Sequence, residues 1–471
     1  MTDCTAQQYL FQGSGRREVV AAFNGGTITS DAGVVLIRQV DECRRLVERF
    51  AACFQDFRHP GQVEHTVEEL LRQRIYGLVL GYEDLNDHED LRRDPLLATM
   101  VGKSDPLGQS RRQAQDRGKA LAGKSTLNRL EWGCSDEAED DRYRRIAVDP
   151  EAVDRFFVDR FLDSFAQRPR QIILDVDATD DPLHGSQEGR FFHGYYGCYC
   201  YLPLYIFAGS HLLCARLRRS NIDASAGTTQ ELSRIVAQIR ERWAKVQILV
   251  RGDSGFAREE LMAWCEANGV DFVLGLARNP RLEEALSETF DEAHEICERT
   301  GEPTRCYGEW QHSTLDSWSR ERRVIGKAEI TERGENPRFV VTSLPARRYA
   351  ARRVYEQIYC ARGDMENRIK EQQLDLFATR TSGRLMRVNQ VRLWLSSVAY
   401  MLLNELRRLG LAGTRWAGAR PVTLRNKLLK IGARVRITVR KVWVSMATGY
   451  PHERLFAHVY GQLQRAGPLP A

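Results

Sequence analysis

The stretch that decides the fold is QIILDVDATDD, residues 171–181, in which an apolar run ends in closely spaced acids. This pattern predicts a buried strand whose polar end carries Asp177. Asp175 lies on the same side of the extended chain and is the alternative candidate for the role of Asp177. A second run, KVQILVRGD at residues 245–253, has the same design and ends at Asp253. Both aspartates are predicted to lie at the carboxyl ends of strands, where open α/β sheets bind ligands.

A third acid, Glu366, stands in YCARGDMEN at residues 359–367, and its surroundings predict a helix. Arg362, Glu366 and Lys370 would share one helix face, a spacing that also suits an ordinary surface ion-pair ladder. Taken singly, Asp177 could cap a turn and Asp253 could form an Asx-turn before the next helix. Together the three acids predict a carboxylate cluster that holds two hard divalent cations and acts in phosphoryl transfer on a polyanion.

The charge distribution indicates which polyanion is suitable. The chain has 471 residues, 42% of them hydrophobic, and a net charge of only +6, but the charge is segregated. Between Leu406 and His452 there is no acid, and the basic residues are Arg407, Arg408, Arg415, Arg420, Arg425, Lys427, Lys430, Arg434, Arg436, Arg440 and Lys441. Such a block predicts contacts to a nucleic-acid backbone, although a merely solvated basic face is the plain alternative.

Cysteine usage and hydropathy bear on the compartment. Eleven cysteines without a C-x-x-C pair indicate reduced thiols and neither a disulfide frame nor a zinc site. The first residues lack the pattern of a signal peptide, and the longest apolar run is too short to cross a bilayer. The expected location is therefore the cytoplasm, with no membrane partner.

One further motif suggests a different function. GKALAGKS, residues 118–125, fits the P-loop pattern G-x-x-x-x-G-K-[ST]. A P-loop requires a buried strand immediately before it, and the preceding GQSRRQAQDR contains no apolar run. The segment is instead predicted to be a loop followed by a helix with Ser125 or Thr126 as N-cap, and nucleotide binding is kept as an alternative.

The three acidic motifs resemble a known set. LDVDATDDPLHGSQEG, LVRGDSGF and YCARGDME are similar to the three catalytic motifs of bacterial insertion-sequence transposases of the DDE class, which have an RNase H-like core. The first motif, with GGTITSDAGVVLIRQV at residues 25–40 and LAGKSTLNRLEW at residues 121–132, especially resembles the insertion-sequence family numbered thirteen-eighty. The resemblance extends from about residue 23 to residue 406.

This resemblance implies roles for individual residues. Asp177, Asp253 and Glu366 would be the catalytic triad and bind two Mg²⁺ ions, with Mn²⁺ able to substitute. Tyr359 and Arg362 fit the signature positions that engage DNA phosphate near the cut.

At two further points the fit to relatives is looser. The signature places a lysine seven residues after the glutamate, where this chain has Gln373, and Lys370 is the substitute one turn earlier. Relatives also carry a mostly β insertion in which a tryptophan can stack on a flipped base. Trp310 and Trp318 are the candidates for that role, and core packing is their ordinary alternative.

The sequence thus predicts an α/β fold, an RNase H-like mixed-sheet core with a β-rich insertion, preceded by a helical N-terminal region. The predicted divisions are residues 1–165 (helical, DNA-binding), 166–278 (first part of the core), 279–345 (insertion, partly β), 346–412 (second part of the core) and 413–471 (basic C-terminal region). Residues 65–82 and 124–132 are the candidate DNA-contacting helices. Arg425, Lys427, Lys430, Arg434 and Arg436 would clamp flanking or target DNA.

The function implied by the resemblance is metal-dependent cleavage and strand transfer at the ends of an insertion sequence. The partners would be double-stranded DNA, both terminal inverted repeats and target, and further copies of the chain, as a homodimer or higher oligomer in a paired-end complex. Two alternatives stay open: a catalytically inactive or domesticated DNA-binding relative, and an ATP-binding protein built on residues 118–125.

Overall fold

The computed structural model of the protein describes residues 7–133 and 145–467. Within these residues the chain forms two compact units. The first comprises residues 7–133, 145–147, 375–377 and 398–467, and the second comprises residues 148–374 and 378–397. The division differs from the predicted one, because the boundary at residue 165 falls inside the second unit and residues 413–467 share a unit with the N-terminal residues.

The secondary structure changes character along the chain. The elements before residue 134 are a strand pair followed mainly by helices: β1 (Gln8–Ser14), β2 (Arg17–Ala22), β3 (Ile28–Thr29), α1 (Val34–Arg44), α2 (Leu46–Ala51), β4 (Phe54–Asp56), α3 (Val67–Leu80), α4 (His88–Leu91), α5 (Pro95–Val101) and α6 (Lys124–Glu131). Strands dominate up to residue 276: β5 (Ile146–Val148), α7 (Pro150–Asp163), β6 (Gln171–Ala178), β7 (Asp181–Pro182), β8 (Phe191–His193), β9 (Cys198–Tyr201), β10 (Leu204–Ala208), β11 (His211–Arg216), α8 (Thr228–Arg242), β12 (Gln247–Gly252), α9 (Glu259–Ala267) and β13 (Asp271–Leu276). The remaining elements are α10 (Pro280–Ala285), α11 (Ser287–Thr300), β14 (Thr304–His312), β15 (Arg322–Thr331), β16 (Gly334–Glu335), β17 (Arg338–Thr342), α12 (Ala351–Arg353), α13 (Gly363–Lys370), α14 (Met386–Glu405), α15 (Pro421–Leu424), β18 (Ala433–Ile437), β19 (Val442–Met446) and α16 (Glu453–Ala466).

The N-terminal part of the first unit is not wholly helical. Strands β1 and β2 pair antiparallel across a turn in which Gly15 has a φ of +63°. Almost every residue of both strands is exposed. The prediction of a helical N-terminal region is therefore wrong for residues 8–22, because aromatic and β-branched residues on both sides of a glycine turn favour a hairpin there.

Helix α3 is a core element of the first unit. Thr66 and Glu69 form a capping box at its start, and the helix is buried almost continuously from Leu70 to Leu80. A helix buried on all sides in its last turns has no free face to enter a DNA groove. Residues 70–80 of the predicted DNA-contacting helix, residues 65–82, therefore belong mainly to the core, whereas Thr66 at its start is exposed.

The C-terminal residues complete this same unit. Strand β18 pairs with β3 on one side and with β19 on the other. The Ala32 N–H donates to the Ile431 carbonyl at 3.0 Å, and the Gly33 N–H donates to the Leu429 carbonyl at 3.1 Å. A Cβ at Gly33 would lie 2.0 Å from the Leu428 carbonyl oxygen, so only glycine allows this approach of the two backbones.

The second unit is built on one mixed sheet with the strand order β11-β10-β6-β12-β13-β17-β15-β14, and β16 pairs with β15. Strands β6, β12 and β13 are mutually parallel, and the other pairings in this order are antiparallel. The predicted insertion at residues 279–345 therefore contributes helices α10 and α11 and also strands that extend the central sheet.

The alternation of side chains along β6 determines which face carries the acids. Leu174 and Val176 lie in the apolar core on one face, which helices α7, α8, α9 and α11 cover. Ile173 packs in a smaller core on the opposite face. Asp175 and Asp177 share the parity of Ile173, so both point to that opposite face.

Helix α14 is the longest of the described helices, at 20 residues. Within residues 7–133 and 145–467, no helix combines the length and apolar character needed to cross a bilayer. The cysteines in those residues all carry free thiols.

Candidate active site

Asp177 lies one residue before the end of β6 and faces an arginine. One carboxylate oxygen accepts a hydrogen bond from the Ala178 N–H at 3.0 Å, and the other lies 3.3 Å from Nη1 of Arg362. The Asp177 and Arg362 side chains are each only 13% exposed. Burial raises the pKa of Asp177 to about 6; Arg362 opposes that rise, and the carboxylates of Asp253 and Glu366 add to it.

Asp253 follows β12 directly and begins a short 3₁₀ turn, Ser254–Phe256. Its Oδ1 accepts the Gly255 N–H at 2.8 Å, so the Asx-turn that the sequence offered as the ordinary alternative is formed. Because β6 and β12 are parallel neighbours, Asp177 and Asp253 lie at the same edge of the sheet. The charge of Asp253 affects the pKa of both Asp177 and Arg362, which places it beside them.

Glu366 comes to this edge from helix α13. Its Oε1 lies 3.5 Å from Nη2 of Arg362, and its side chain is 50% exposed. Two of the three predicted acids, Asp177 and Glu366, therefore lie beside one guanidinium, and the charges of all three raise its pKa. Nη1 of Arg362 is buried and has no hydrogen-bond partner, although it is close to Asp177.

This donor set suits a hard divalent cation in its chemistry. All three groups offer carboxylate oxygens, the ligands that Mg²⁺ prefers. Among residues 7–133 and 145–467, no three His, Cys, Asp or Glu side chains are already gathered around a common point at ligand spacing.

Tyr359 ends a π-helical segment, Val354–Tyr359. Burial raises the pKa of its hydroxyl, and Asp253 adds to that rise. The backbone of Gly275 in β13 approaches so closely that a Cβ there would lie 2.6 Å from the Tyr359 hydroxyl oxygen and 2.9 Å from the Ser254 nitrogen. Gly275 therefore makes room for Tyr359, and sequence reasoning missed it.

We expect Gly275→Ala to displace the Tyr359 ring and to lower DNA cleavage by about a hundredfold, since small misplacements in active sites have costs of that order. Gly418, where an added Cβ meets nothing within 4 Å, provides the matched control, Gly418→Ala. Cleavage rates of Gly275→Ala, Tyr359→Ala and the double variant measure the coupling. Fully additive effects would contradict a role through Tyr359.

Asp175 belongs to a structural pair. Arg251 donates to its two carboxylate oxygens at 2.6 and 2.7 Å, and both side chains are buried. The remaining Arg251 nitrogen, Nη1, donates to the Ile358 carbonyl at 2.6 Å. The pair thus ties strands β6 and β12 to the π-helical segment that precedes Arg362 and Glu366. Sequence reasoning missed Arg251, since only the register of the two strands places it opposite Asp175.

The other predicted phosphate and base contacts have varied surroundings. Lys370 is exposed in the last turn of α13, and Gln373 donates to the Asp180 carbonyl at 3.0 Å. Trp310 packs edge-on against Phe339 beside Gly326.

Trp318 lies between other side chains. The Trp318 ring contacts the His312 ring edge-on, with 5.9 Å between the two ring centroids. The Arg322 guanidinium lies 5.5 Å from the centroid of the Trp318 ring. Both tryptophans therefore pack against the core, the ordinary alternative of the sequence interpretation.

The basic segment at residues 406–452 divides into buried and exposed members. Arg425 is buried, donates to the carbonyls of Val79, Leu78 and Asp375, and stacks over Phe377. The interpretation of Arg425 as a DNA contact is therefore wrong, because its donors stabilise the fold.

Lys430 is also engaged. It forms an ion pair with Asp31 at 2.6 Å and lies over the Tyr82 ring. Lys427 is half-buried, whereas Arg434 and Arg436 are exposed along β18.

The segment at residues 118–125 does not have the structure of a P-loop. It follows turns and a 3₁₀ helix, Ala114–Asp116, and Lys124 begins helix α6. The Lys124 N–H donates to a Glu89 carboxylate oxygen at 2.8 Å, and Nζ donates to Asn86 at 3.0 Å. A carboxylate thus occupies the helix start where a P-loop would bind phosphate.

Two strand-end aspartates and a helix-borne glutamate that meet at one sheet edge are the arrangement characteristic of DDE transposases. The chain belongs to the family described as "Transposase DDE domain group 1", whose model matches residues 11–468. It is accordingly a transposase that acts on DNA in transposition.

Two other comparisons add little to this assignment. The search of curated proteins gave no match. A solved structure similar to the chain is the piggyBac transposase synaptic complex with hairpin DNA, determined by cryo-EM, at 9% identity over 94% of this chain and 86% of that chain, with a TM-score of 0.41. At that identity and TM-score, the likeness does not extend the assignment beyond the family.

Proposed function

We propose that this transposase cuts and rejoins DNA at the terminal inverted repeats of its own insertion sequence, in a cut-and-paste reaction, as the resemblance to the family numbered thirteen-eighty implies. The observation that carries the proposal is that Asp177 and Glu366 both lie beside Arg362, while Asp253 ends the parallel strand next to that of Asp177. The strand order β11-β10-β6-β12-β13, with β6 parallel to β12 and antiparallel to β10, supports an RNase H-like core.

The three acids would hold two Mg²⁺ ions. When bound, these ions would supply activation of the attacking oxygen and stabilisation of charge on the leaving oxygen. Arg362 would leave Asp177 and Glu366 and turn its guanidinium to the phosphate, whose two non-bridging oxygens it can bind bidentately. Tyr359 would donate its hydroxyl to the same phosphate and fix the scissile bond at the strand edge.

DNA contacts away from the cut would come from exposed cations. Arg434 and Arg436 lie on one exposed face of β18, and Lys427 and Lys370 are further candidates. Phosphate contacts of this kind position the duplex and make affinity fall with salt. The working form would be a paired-end complex of two copies in the bacterial cytoplasm, associated with the nucleoid.

The direct test is cleavage of DNA that carries the ends of the element. Purified protein with Mg²⁺ is expected to nick end-bearing DNA, to act also with Mn²⁺, and to be inactive in EDTA. Imperfect inverted repeats with short flanking direct repeats beside the gene would identify those ends. Binding of the ends without any metal-dependent cleavage would favour the inactive, domesticated relative.

The ATP-binding alternative has its own test. Lys124→Ala is expected to leave the cleavage rate within about twofold, because this lysine is an exposed partner of Asn86 and such surface contacts contribute little. Lys119→Ala, on the same loop, is the matched control. Loss of cleavage in Lys124→Ala alone would support nucleotide use.

A further inference from the structure

Strands β8 and β9 form a hairpin, residues 190–201, that presents large aromatic side chains to solvent. We call it the aromatic hairpin. Its exposed rings are those of Phe191, Phe192, Tyr195 and Tyr199, of which Phe192 is 58% and Tyr195 is 87% exposed. Aromatic side chains grouped this way on a surface usually mark a binding site.

The rings are held in a defined arrangement. Phe192 and Tyr199 are directly cross-strand, with centroids 5.6 Å apart and planes at 75°. The guanidinium of Arg190 lies 4.5 Å from the Tyr199 centroid. At the tip, Tyr195 and Tyr196 meet edge-on at 5.0 Å. The face therefore combines flat apolar surfaces with a cation.

The base of the hairpin is fixed and does not depend on these rings. Tyr201 is fully buried, and its hydroxyl donates to the Glu188 carbonyl at 2.6 Å. Strand β9 also pairs with β7 through Tyr201 and Asp181. Removing a ring near the tip should consequently leave the fold intact.

The hairpin adjoins the candidate active site. The Tyr196 hydroxyl donates to the Ala178 carbonyl at 3.5 Å, one residue after Asp177. Burial raises the pKa of Tyr196 to about 12, and the carboxylates of Asp180, Asp177 and Asp253 add to that rise. The aromatic hairpin therefore lies next to the strand end that carries Asp177.

We propose that the aromatic hairpin stacks the unpaired bases of the DNA strand next to the phosphodiester that is cut. Aromatic faces bind any base by stacking, and an arginine beside them matches the phosphate charge of the same strand. The two tryptophans suggested for such a role are packed against the core, whereas these rings are free on the surface. The proposal rests on the proposed function, because it takes DNA as the ligand and Asp177 as part of the cutting site.

The test measures binding without chemistry. The full chain in EDTA is titrated with two DNAs: a blunt duplex with the element's end, and the same duplex with a three-nucleotide single-stranded extension containing 2-aminopurine. The wild type is expected to bind the extended DNA more tightly and to quench the 2-aminopurine fluorescence. The double variant Phe192→Ala/Tyr195→Ala should lose about tenfold or more in affinity for the extended DNA, lose the quenching, and keep its affinity for the blunt duplex within about twofold.

Two variants serve as controls. Phe192→Tyr/Tyr195→Phe keeps the rings and should retain both affinity and quenching. Tyr460→Ala removes a ring that is 54% exposed on α16 and should change neither. Thermal melts of all variants check folding.

Two outcomes would overturn the proposal: an equal loss of affinity for both DNAs, or unchanged quenching in the double variant. A change in the oligomeric state of the double variant without DNA, combined with unchanged quenching, would assign the rings to an interface between copies. Wild-type protein that shows the stacking signal but never cleaves end-bearing DNA would overturn the proposed function; it would support base stacking by the aromatic hairpin and contradict its placement beside a cut phosphodiester.

Discussion

Asp253→Asn is expected to lower the rate of Mg²⁺-dependent DNA cleavage by at least about a thousandfold, because about 4 kcal/mol of charge stabilisation at the reacting phosphate would be lost with the anion. The asparagine keeps a side-chain oxygen to accept the Gly255 N–H, so the turn after β12 should persist. Affinity for DNA in EDTA should stay within about twofold, since the removed charge repels phosphate.

The same result is expected for Asp177→Asn and Glu366→Gln. Asp364→Asn is the matched control, since Asp364 is an exposed acid on the same helix, two residues before Glu366. Cleavage assays on end-bearing DNA, with gel-shift measurements of binding, separate the two effects. If Asp364→Asn lost as much activity as Glu366→Gln, the loss of any negative charge from this helix, and not the loss of a triad member, would explain the lower cleavage rate.

Arg251→Met is expected to lower the free energy of unfolding by about 3–5 kcal/mol, the usual cost of leaving one member of a buried ion pair alone. The variant leaves the buried Asp175 carboxylate without its ion-pair partner and removes the hydrogen bond to the Ile358 carbonyl. Denaturant unfolding followed by circular dichroism gives the change. Arg258→Met, which removes an exposed pair with Asp223, is the control and should cost less than about 1 kcal/mol.

Asp175→Asn separates positioning from metal binding. Asparagine can still accept from Arg251, so this variant should be less stable than wild type yet retain measurable cleavage. The double variant Asp175→Leu/Arg251→Met should recover much of the stability that Arg251→Met loses. Complete loss of cleavage in a well-folded Asp175→Asn protein would place Asp175 among the metal ligands in place of a positioning role.

The sequence predicted the strand ends that carry Asp177 and Asp253 and the helix that carries Glu366, because apolar runs and acids at their ends are local patterns. Arg251 and Gly275 were missed, since their roles depend on strand register and on the approach of a distant tyrosine. Both depend on which distant segments pair with each other, and the local sequence pattern does not specify that pairing.

The count of basic residues did not predict which of them can reach DNA, for a related reason. Arg425 looked like any other cation in its basic segment, but its guanidinium lies among backbone carbonyls of the first unit. The aromatic hairpin was likewise missed, although FFHGYYGCYCY places rings on both sides of a glycine turn. Composition indicates what a segment could contact, whereas burial decides which of its side chains remain available.

The pairing of residues 27–33 with residues 429–435 has a consequence for synthesis on the ribosome. The polypeptide emerges from its amino end, so the first unit must wait, with Ala32 and Gly33 lacking their backbone partners, until translation has passed residue 435. A message cut short between residues 366 and 429 would yield a product with all three proposed catalytic acids but an unfinished first unit.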